Sequence, residues 1–465
     1  MTSGAQWRRV GHGPRPQSWR SRPRLRLRTV ACLALAVFLF LWLVLPYDNT
    51  VRLAVRFNVQ RLRAAWFGRP SERWVYAPPE FPVDVGEDVV VILKTGYGTR
   101  ERVPVWFESL SEGSEFRDIL VIADYASQSG GHFPYRGQLL PVHDMVRRSL
   151  ELPVLSGHTS HPRALKYGQL AEAVAGGDDA LALKLSRSFG WELDALKDIS
   201  CLEFAYEKFP NKKWYFMLDD DTFVVQPSLK PLLEHLDSDE PYYLGNAVGD
   251  FRARFAHGGS GVILSHAAMR SLVGSPKARA SAHLDALDDI WGDRLITKAL
   301  LQLGIHLDET YSHLFNGEPP LLSKIRADRI CSPVVSFHSI RTDSAMRAVG
   351  EHFGNVSSPV LWLDLWEIYG LTPPWRQTDT ALRDNWDHVG DLDESTLTIG
   401  NVATAEDCFN NCDRHARTCL AWTWESATRN CHISPWMIVG GNASGKVSGV
   451  NVPRARYLET NCILY

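Results

Sequence analysis

Residues Lys212 to Pro227 read KKWYFMLDDDTFVVQP. An apolar run passes straight into Asp219, Asp220 and Asp221, and Thr222 leads back into apolar chain. Side chains alternate in an extended segment, so Asp219 and Asp221 point to one side. Two carboxylates that face one way need a cation, a shared proton or water. A solvated turn is one reading, since Asp is common at strand ends. A divalent ion held by oxygen ligands is the other. The residues from Thr222 to Val225 are mostly apolar and β-prone, so the chain does not leave the core as a surface turn would.

Three further segments could take part in chemistry. His338 follows the apolar run VVSF; a histidine there is commonly a packed core residue, and otherwise a ligand. Gly258 to Gly261 read GGSG, which lets backbone approach a ligand closely or simply turns the chain before VILS. Asp288 and Asp289 precede a helical pattern, Trp291, Leu295, Ala299 and Leu303, that Gly304 can end. Acids at a helix start are ordinary caps. The same field favours an ionised carboxylate, which can take a proton from a hydroxyl in a cleft.

The elements that must position these groups alternate. DVVVILKTG (Asp88 to Gly96) reads as a buried parallel strand and RERVPVWFESL as a short helix with Pro104 near its first turn. DILVIADY (Asp118 to Tyr125) is a second buried strand. Ala126 to Gly190 is polar and less patterned, with helical pieces. Glu192 to Phe209 has helical spacing, and the strand WYFML follows. This is an α/β pattern, in which ligands bind at the carboxyl ends of the strands. The aspartates stand at that end, and Thr95, Arg102 and Asp124 lie at or just beyond the first two strands.

Five motifs in order resemble glycosyltransferase family 31, the fringe and core-1 β1,3-galactosyltransferase group. WYFMLDDDTFVV resembles its DxD region, and KTG with RERVPVWFESL its first strand and helix. HGGSGVILS (His257 to Ser265) resembles its Gly-Gly-Ala-Gly segment, with Ser260 where Ala is usual. LDDIWGDRL (Leu287 to Leu295) resembles its acidic segment, and VVSFHSI (Val334 to Ile340) its Ser-Phe-His ending. The resemblance covers Asp88 to Ile340. It implies a GT-A fold, a Rossmann-like nucleotide-sugar-binding sheet, and inverting transfer from a UDP-sugar to a hydroxyl of a glycan or glycoprotein, with β1,3 linkage. It puts Mn²⁺ or another divalent cation on Asp221 with His338, and Asp219 or Asp220 nearby on the metal or the donor ribose. Thr95, Arg102, Asp124, Gly258 and Gly259 are then donor-binding candidates. Asp289 is the implied base, with Asp288 as fallback.

The ends of the chain differ from its middle. Eight arginines, Arg8 to Arg28, precede any acidic residue, and the uncharged run Val30 to Leu45 follows. As a helix that run spans roughly 24 Å, slightly under a typical hydrocarbon core. The arginine flank predicts a single-pass type II anchor with the remainder in the Golgi lumen; a cleaved signal peptide is the competing reading. Asn355 and Asn442 stand in glycosylation sequons. Cys408, Cys412, Cys419, Cys431 and Cys462 crowd the final residues, which reads as disulfides in an oxidising compartment or, without a close Cys-x-x-Cys pair, less well as zinc. Thr404 to Ser434 resembles the PAN/apple fold, a small disulfide-stapled α+β module that binds proteins or carbohydrates. The resemblance implies pairs Cys408–Cys431 and Cys412–Cys419. Cys462 is left to pair with Cys331, Cys201 or another chain.

These readings divide the chain into an arginine-rich cytosolic tail (1–29), a transmembrane signal-anchor helix (30–46), a stem (47–87), a GT-A domain (88–369), a linker (370–395) and a PAN/apple-like module (396–465). A net charge of −3 gives no support to a nucleic-acid partner. The rival from another class is a catalytically inactive luminal protein that binds carbohydrate or protein.

Overall fold

The β-branched run of the first motif forms strand β1 (Val89–Lys94), buried at every position. Such a strand needs cover on both faces, and it lies at the centre of a seven-stranded mixed sheet. The other strands, in chain order, are β2 (Asp118–Ala123), β3 (His132–Tyr135), β4 (Gln138–Asp144), β5 (Trp214–Asp219), β7 (Tyr243–Gly245) and β8 (Val262–Ser265). Their spatial order is β3-β4-β2-β1-β5-β8-β7. The inner strands β4, β2, β1 and β5 are parallel, while β3 closes one edge and β8 and β7 the other in antiparallel pairing. Thus the α/β expectation holds, with a mixed rather than purely parallel sheet. This computed structural model describes residues 23–68, 72–127, 131–252, 254–377 and 382–462.

Helix α3 (Arg102–Ser109) follows β1, and helix α4 (Asp179–Lys208) precedes β5. The sequence pattern marks α4 only from Glu192. It begins earlier because Asp178 accepts the backbone N–H of Leu181 and caps it there. The weakly patterned stretch before it holds β3 and β4 as well as helix. In β1 and β5 the register sets Leu93 against Leu218 and Lys94 against Asp219. Apolar packing along this pair therefore delivers a lysine and an aspartate to the same end of the sheet.

Beyond Asp219 the chain turns and re-enters the core as β6 (Phe223–Val224), paired antiparallel with β9 (Ser336–Phe337). The turn is tied by the Thr222 N–H donating to the Asp219 carbonyl at 3.1 Å. The indole of Trp106 in α3 donates to the Thr222 carbonyl at 2.7 Å. This two-strand ribbon is why the aspartates are followed by apolar residues.

Near the N-terminus, α1 (Pro23–Val44) covers most of the expected membrane span, but among the described residues no helix is long and apolar enough to cross a membrane. Arginines occupy its first turns, and the helix stops at Val44, just ahead of Pro46. The uncharged part from Val30 to Val44 is thereby only roughly 22 Å long. Its side chains, Leu33 and Leu43 among them, are exposed. Residues 1–22 of the expected cytosolic tail lie outside the described residues. Within the range read as a stem, α2 (Thr50–Phe67) forms behind an Asn49 cap and lies against the sheet domain, with Phe57 facing Phe251.

The C-terminal module has a five-stranded antiparallel sheet made of β10 (Arg383–Asp387), β11 (Leu397–Ile399), β12 (Ala421–Glu425), β13 (Asn430–Ser434) and β14 (Gly441–Val450). Their order is β10-β14-β12-β13-β11. Strand β10 lies inside the range read as linker. Helix α6 (Ala405–Arg414) is stapled to this sheet by Cys408–Cys431 and Cys412–Cys419, the pairs the resemblance implied. All five clustered cysteines are in disulfides, so the zinc reading falls. Cys462, at the end of helix α7 (Val452–Cys462), pairs with Cys331, and Cys201 stays reduced and buried. Ile325–Arg326 also pairs with Trp436–Met437, and Met437, Val439, Val450 and Ala455 join the core of the larger domain.

The Cys331–Cys462 bond closes a separation of 131 residues. Loops of that length give the largest stabilisation in the chain-entropy account, in the range of ~2–5 kcal/mol. Cys331→Ser with Cys462→Ser is expected to lose that amount in denaturant unfolding. It should also split one transition into two, the C-terminal module melting first. A single unchanged transition would show that apolar packing alone couples the modules.

Candidate functional site

At the carboxyl ends of β1, β2 and β5 lies a cleft of about 480 Å³. Thr95, Arg102, Asp124, Asp219, Asp220, Asp221 and His338 line it, together with Lys94, Asp194 and Lys197. The turn from Asp219 to Thr222 divides the three aspartates. Asp219 and Asp221 face His338, and these three can offer ligand atoms all within 4.8 Å of one another. Asp220 turns the other way, where its oxygens take the hydroxyl of Thr95 at 2.7 Å and Arg102 at 3.2 Å.

His338 reaches the cluster through the ribbon. Pairing of Phe337 with Phe223 places His338 opposite Thr222, next to Asp221. Its Nε2 lies 3.0 Å from Asp221, and Ser339 follows in a left-handed conformation, φ 62°, with its hydroxyl 3.1 Å from the ring Nδ1. A non-glycine residue held there is uncommon and clusters at functional sites. Gly258 and Gly259 are not in the lining of the cleft. A Cβ on Gly259 would collide with the His338 ring, so this glycine lets the imidazole lie flat on the backbone. The Gly258 N–H donates to Asp293 at 2.9 Å.

Charge in the cleft is balanced by buried cations. Lys94 is 8% exposed and lies 3.1 Å from Asp198 and 3.2 Å from Asp219. Burial alone would lower its pKa; Asp198 and Asp219 outweigh burial and raise it well above the ordinary value. Burial likewise opposes ionisation of Asp219, but Lys94 and then His338 hold its pKa below the usual range. Burial pushes Asp220 up to about 6 despite its hydrogen bonds and Arg102, with Asp221 adding to the rise. Asp124 is 1% exposed, and burial raises its pKa against the pull of Lys197. One Asp124 oxygen accepts the Tyr97 N–H at 2.8 Å, whereas Oδ2 has no partner. An unpartnered buried acceptor is costly, and here it sits in a cleft with room for a donor.

Asp288 and Asp289 lie apart from this lining. Asp288 is exposed, with His161 at 3.3 Å. Asp289 accepts the N–H of Trp291 just before helix α5 (Gly292–Gln302) and is gripped by Arg294 at 2.5 Å and Lys298 at 2.8 Å. Burial works against its ionisation; Lys298 and Arg294 overcome it and lower the pKa. Asp293, in the first turn of α5, lies nearer the metal-ligand cluster, beside Lys94 and His257, and burial raises its pKa.

Sequence reasoning passed over Lys94, Asp198, Lys197 and Asp293. The signal for the first was present, because Lys94 ends an otherwise apolar strand. Asp194, Lys197 and Asp198 share the helical i, i+3, i+4 spacing of a charged inward stripe. Asp293 was hidden by the more conspicuous acids before it.

The donor set fits a divalent cation. Two convergent carboxylates and an imidazole suit Mn²⁺ or a similar borderline-hard ion, and no thiol is present to favour a softer one.

Residues 191–367 match the Fringe-like family model, and residues 388–462 match the PAN domain model. Asp219 to Asp221, Gly258, Gly259, Asp288, Asp289 and His338 fall in the first match, whereas Thr95, Arg102 and Asp124 precede it. The chain is similar to glycoprotein-N-acetylgalactosamine 3-beta-galactosyltransferase 1 of Xenopus laevis, 26% identical over 115 residues, which is 24% of this chain and 32% of that protein. It is also similar to chondroitin sulfate glucuronyltransferase of Homo sapiens, 34% identical over 92 residues, 19% of this chain and 12% of that protein. The chain thus spans about a third of the first relative's length and about an eighth of the second's. As the sequence resemblances implied, the chain carries a Fringe-like domain at residues 191–367 and a PAN domain at residues 388–462.

Proposed function

We propose that this protein is an inverting, metal-dependent glycosyltransferase that moves a sugar from a UDP-sugar to a hydroxyl of a glycan or glycoprotein, forming a β1,3 linkage. The convergence of Asp219, Asp221 and His338 at the carboxyl ends of the parallel strands carries the reading. Residues 88–369 form the catalytic unit in this proposal. The names of both similar proteins, a galactosyltransferase and a glucuronyltransferase, support it.

Each nearby group has a task. A divalent cation on Asp221, Asp219 and His338 would neutralise a leaving diphosphate. Lys94 keeps Asp219 ionised and fixes its direction. The free Oδ2 of Asp124 suits an N–H of the uracil ring, while Thr95 and Arg102 hold Asp220 in place beneath the nucleotide. Asp289 is assigned as proton acceptor for the incoming hydroxyl. It is ionised and buried, and acceptor entry would draw Arg294 or Lys298 away from it.

The three disulfides and the exposed sequon residues Asn355 and Asn442 support a luminal setting in the secretory pathway. The exposed apolar side chains of α1 support a place at the Golgi membrane. A protein or carbohydrate ligand is proposed for the PAN domain.

Asp221→Ala tests the metal. Calorimetric titration with UDP and Mn²⁺ is expected to show metal-dependent affinity falling by roughly 10- to 100-fold or more. Circular dichroism should remain that of the wild type. Unchanged Mn²⁺ dependence would put the ion elsewhere, and no UDP binding by the wild type would favour the binding-protein alternative.

Asp289→Asn tests the base. Transfer should fall by about 10²- to 10⁴-fold with UDP affinity unchanged. Asn keeps the cap on Trp291 but loses both ion pairs, so the melting temperature should fall at neutral pH. Since the fold lowers this pKa, the ion pairs stabilise above the ordinary carboxylate range. Their contribution is lost as pH falls through the lowered value, so the gap in melting temperature should close on acidification. Turnover within a few-fold of wild type would make Asp289 a structural clamp, and Asp288→Asn and Asp293→Asn the next variants.

A further inference from the structure

A second cavity lies between α2 and α5, away from the donor cleft. It measures about 230 Å³, below the roughly 300–1,000 Å³ of a small-molecule pocket, and has room for one sugar ring rather than a chain. Arg56 of α2, Arg252, Arg254, and Arg294 and Lys298 of α5 line it, against Glu309. Arg254 is paired with Glu309, and Arg294 and Lys298 are paired with Asp289. Among the described residues, neither Arg56 nor Arg252 has a carboxylate within ion-pair distance. The positive field is felt locally: burial, reinforced by Arg56 and Arg52, holds the His306 imidazole down at about 4.

The walls are not only charged. The rings of Phe57 and Phe251 lie 6.4 Å apart, with Arg254 over the first at 5.7 Å and Arg252 over the second at 5.3 Å. An inorganic anion would use the guanidinium groups and leave the rings idle. A sugar bearing an anionic group uses both, since its C–H face packs on an aromatic ring while its anion meets arginine.

The position relates the cavity to transfer. Helix α5 turns Asp293, in its first turn, toward Gly258 and Lys94 beside the metal-ligand cluster. Lys298, five residues on and roughly 7.5 Å along the axis, faces the cavity. The two faces of one helix thus serve the metal side and the cavity, and Arg294 and Lys298 of the cavity wall grip Asp289, the proton acceptor of the proposed transfer.

We propose that this cavity binds an anionic sugar of the acceptor, a hexuronate or a sulfated hexose, next to the unit that is glycosylated. The proposal rests on the transferase reading and adds the acceptor class. It also gives α2 a role in substrate selection.

The test uses the full chain and its Arg56→Gln/Arg252→Gln variant, in which neither substituted side chain belongs to the donor or proton-transfer groups. Both are titrated with a uronate-bearing disaccharide, its neutral methyl ester, a sulfated disaccharide and its desulfated parent. UDP with Mn²⁺ is measured in parallel. Wild type is expected to bind one or both anionic sugars about tenfold or more tightly than the neutral counterpart, a preference that weakens with salt. The variant should lose that preference and keep its UDP affinity. If charged and neutral sugars bind wild type equally, or the variant keeps the preference, the proposal is wrong while the transferase reading stands. Failure of wild type to bind UDP with Mn²⁺ would overturn the transferase reading itself. Binding of anionic phospholipid vesicles that the variant loses, without discrimination among the sugars, would make the cavity a headgroup site and overturn the acceptor assignment.

Discussion

The buried ammonium of Lys94 is the interaction on which the site depends. Four carboxylates, Asp198, Asp219, Asp220 and Asp221, crowd the end of β5 and the helix behind it, and like charges at such spacing repel strongly where water is scarce. Lys94 sits between Asp198 and Asp219, and Arg102 lies beside Asp220 and Asp221. Lys94 needs no extra element to hold it, because the β1–β5 register sets it beside Asp219. The hydrophobic residues that fix this register thereby also fix the electrostatics of the cleft. Replacing Lys94 would leave Asp198 and Asp219 uncompensated at the moment the backbone brings them together.

With the charge balanced, the rest of the site is a matter of how the chain returns. The β6–β9 ribbon carries His338 to the aspartates, and the bare backbone of Gly259 leaves space for its ring. One ribbon therefore couples residues more than a hundred positions apart, Asp221 and His338, and Trp106 pins the turn to α3. Next to the cluster, α5 divides its faces: Asp293 belongs to the metal side, and Arg294 and Lys298 to the cationic cavity and Asp289.

Much of this was legible in the sequence. The apolar strands and the triple aspartate at a strand end follow from period and composition; Asp219 and Asp221 do share a side, as strand alternation predicts, but a turn closed by Thr222 on Asp219 puts them there. The α6 staples follow from a resemblance. What could not be read came from pairings distant in sequence. Nothing near Lys94 names Asp198 as its partner, and nothing near Asp289 shows that Arg294 and Lys298 fold back onto it. The early start of α4 rests on a single cap at Asp178, and α2 looked like a tether because its docking rests on a few partly covered residues, Phe57 against Phe251 among them, while Val51, Val59, Leu62 and Trp66 stay exposed.

The link between Cys331 and Cys462 also sets an order on synthesis. Cys331 emerges from the ribosome 131 residues before its partner, a wait on the order of ten seconds at ordinary elongation rates. In that interval Cys408, Cys412, Cys419 and Cys431 appear one after another, each a competing thiol. Their proper pairs span only 23 and 7 residues, so short loops can close while Cys331 is still waiting. Correct oxidation thus runs from local to distant. A chain in which α6 folds late would expose Cys331 to the wrong sulfur, so prompt folding of the small module protects the covalent fidelity of the large one.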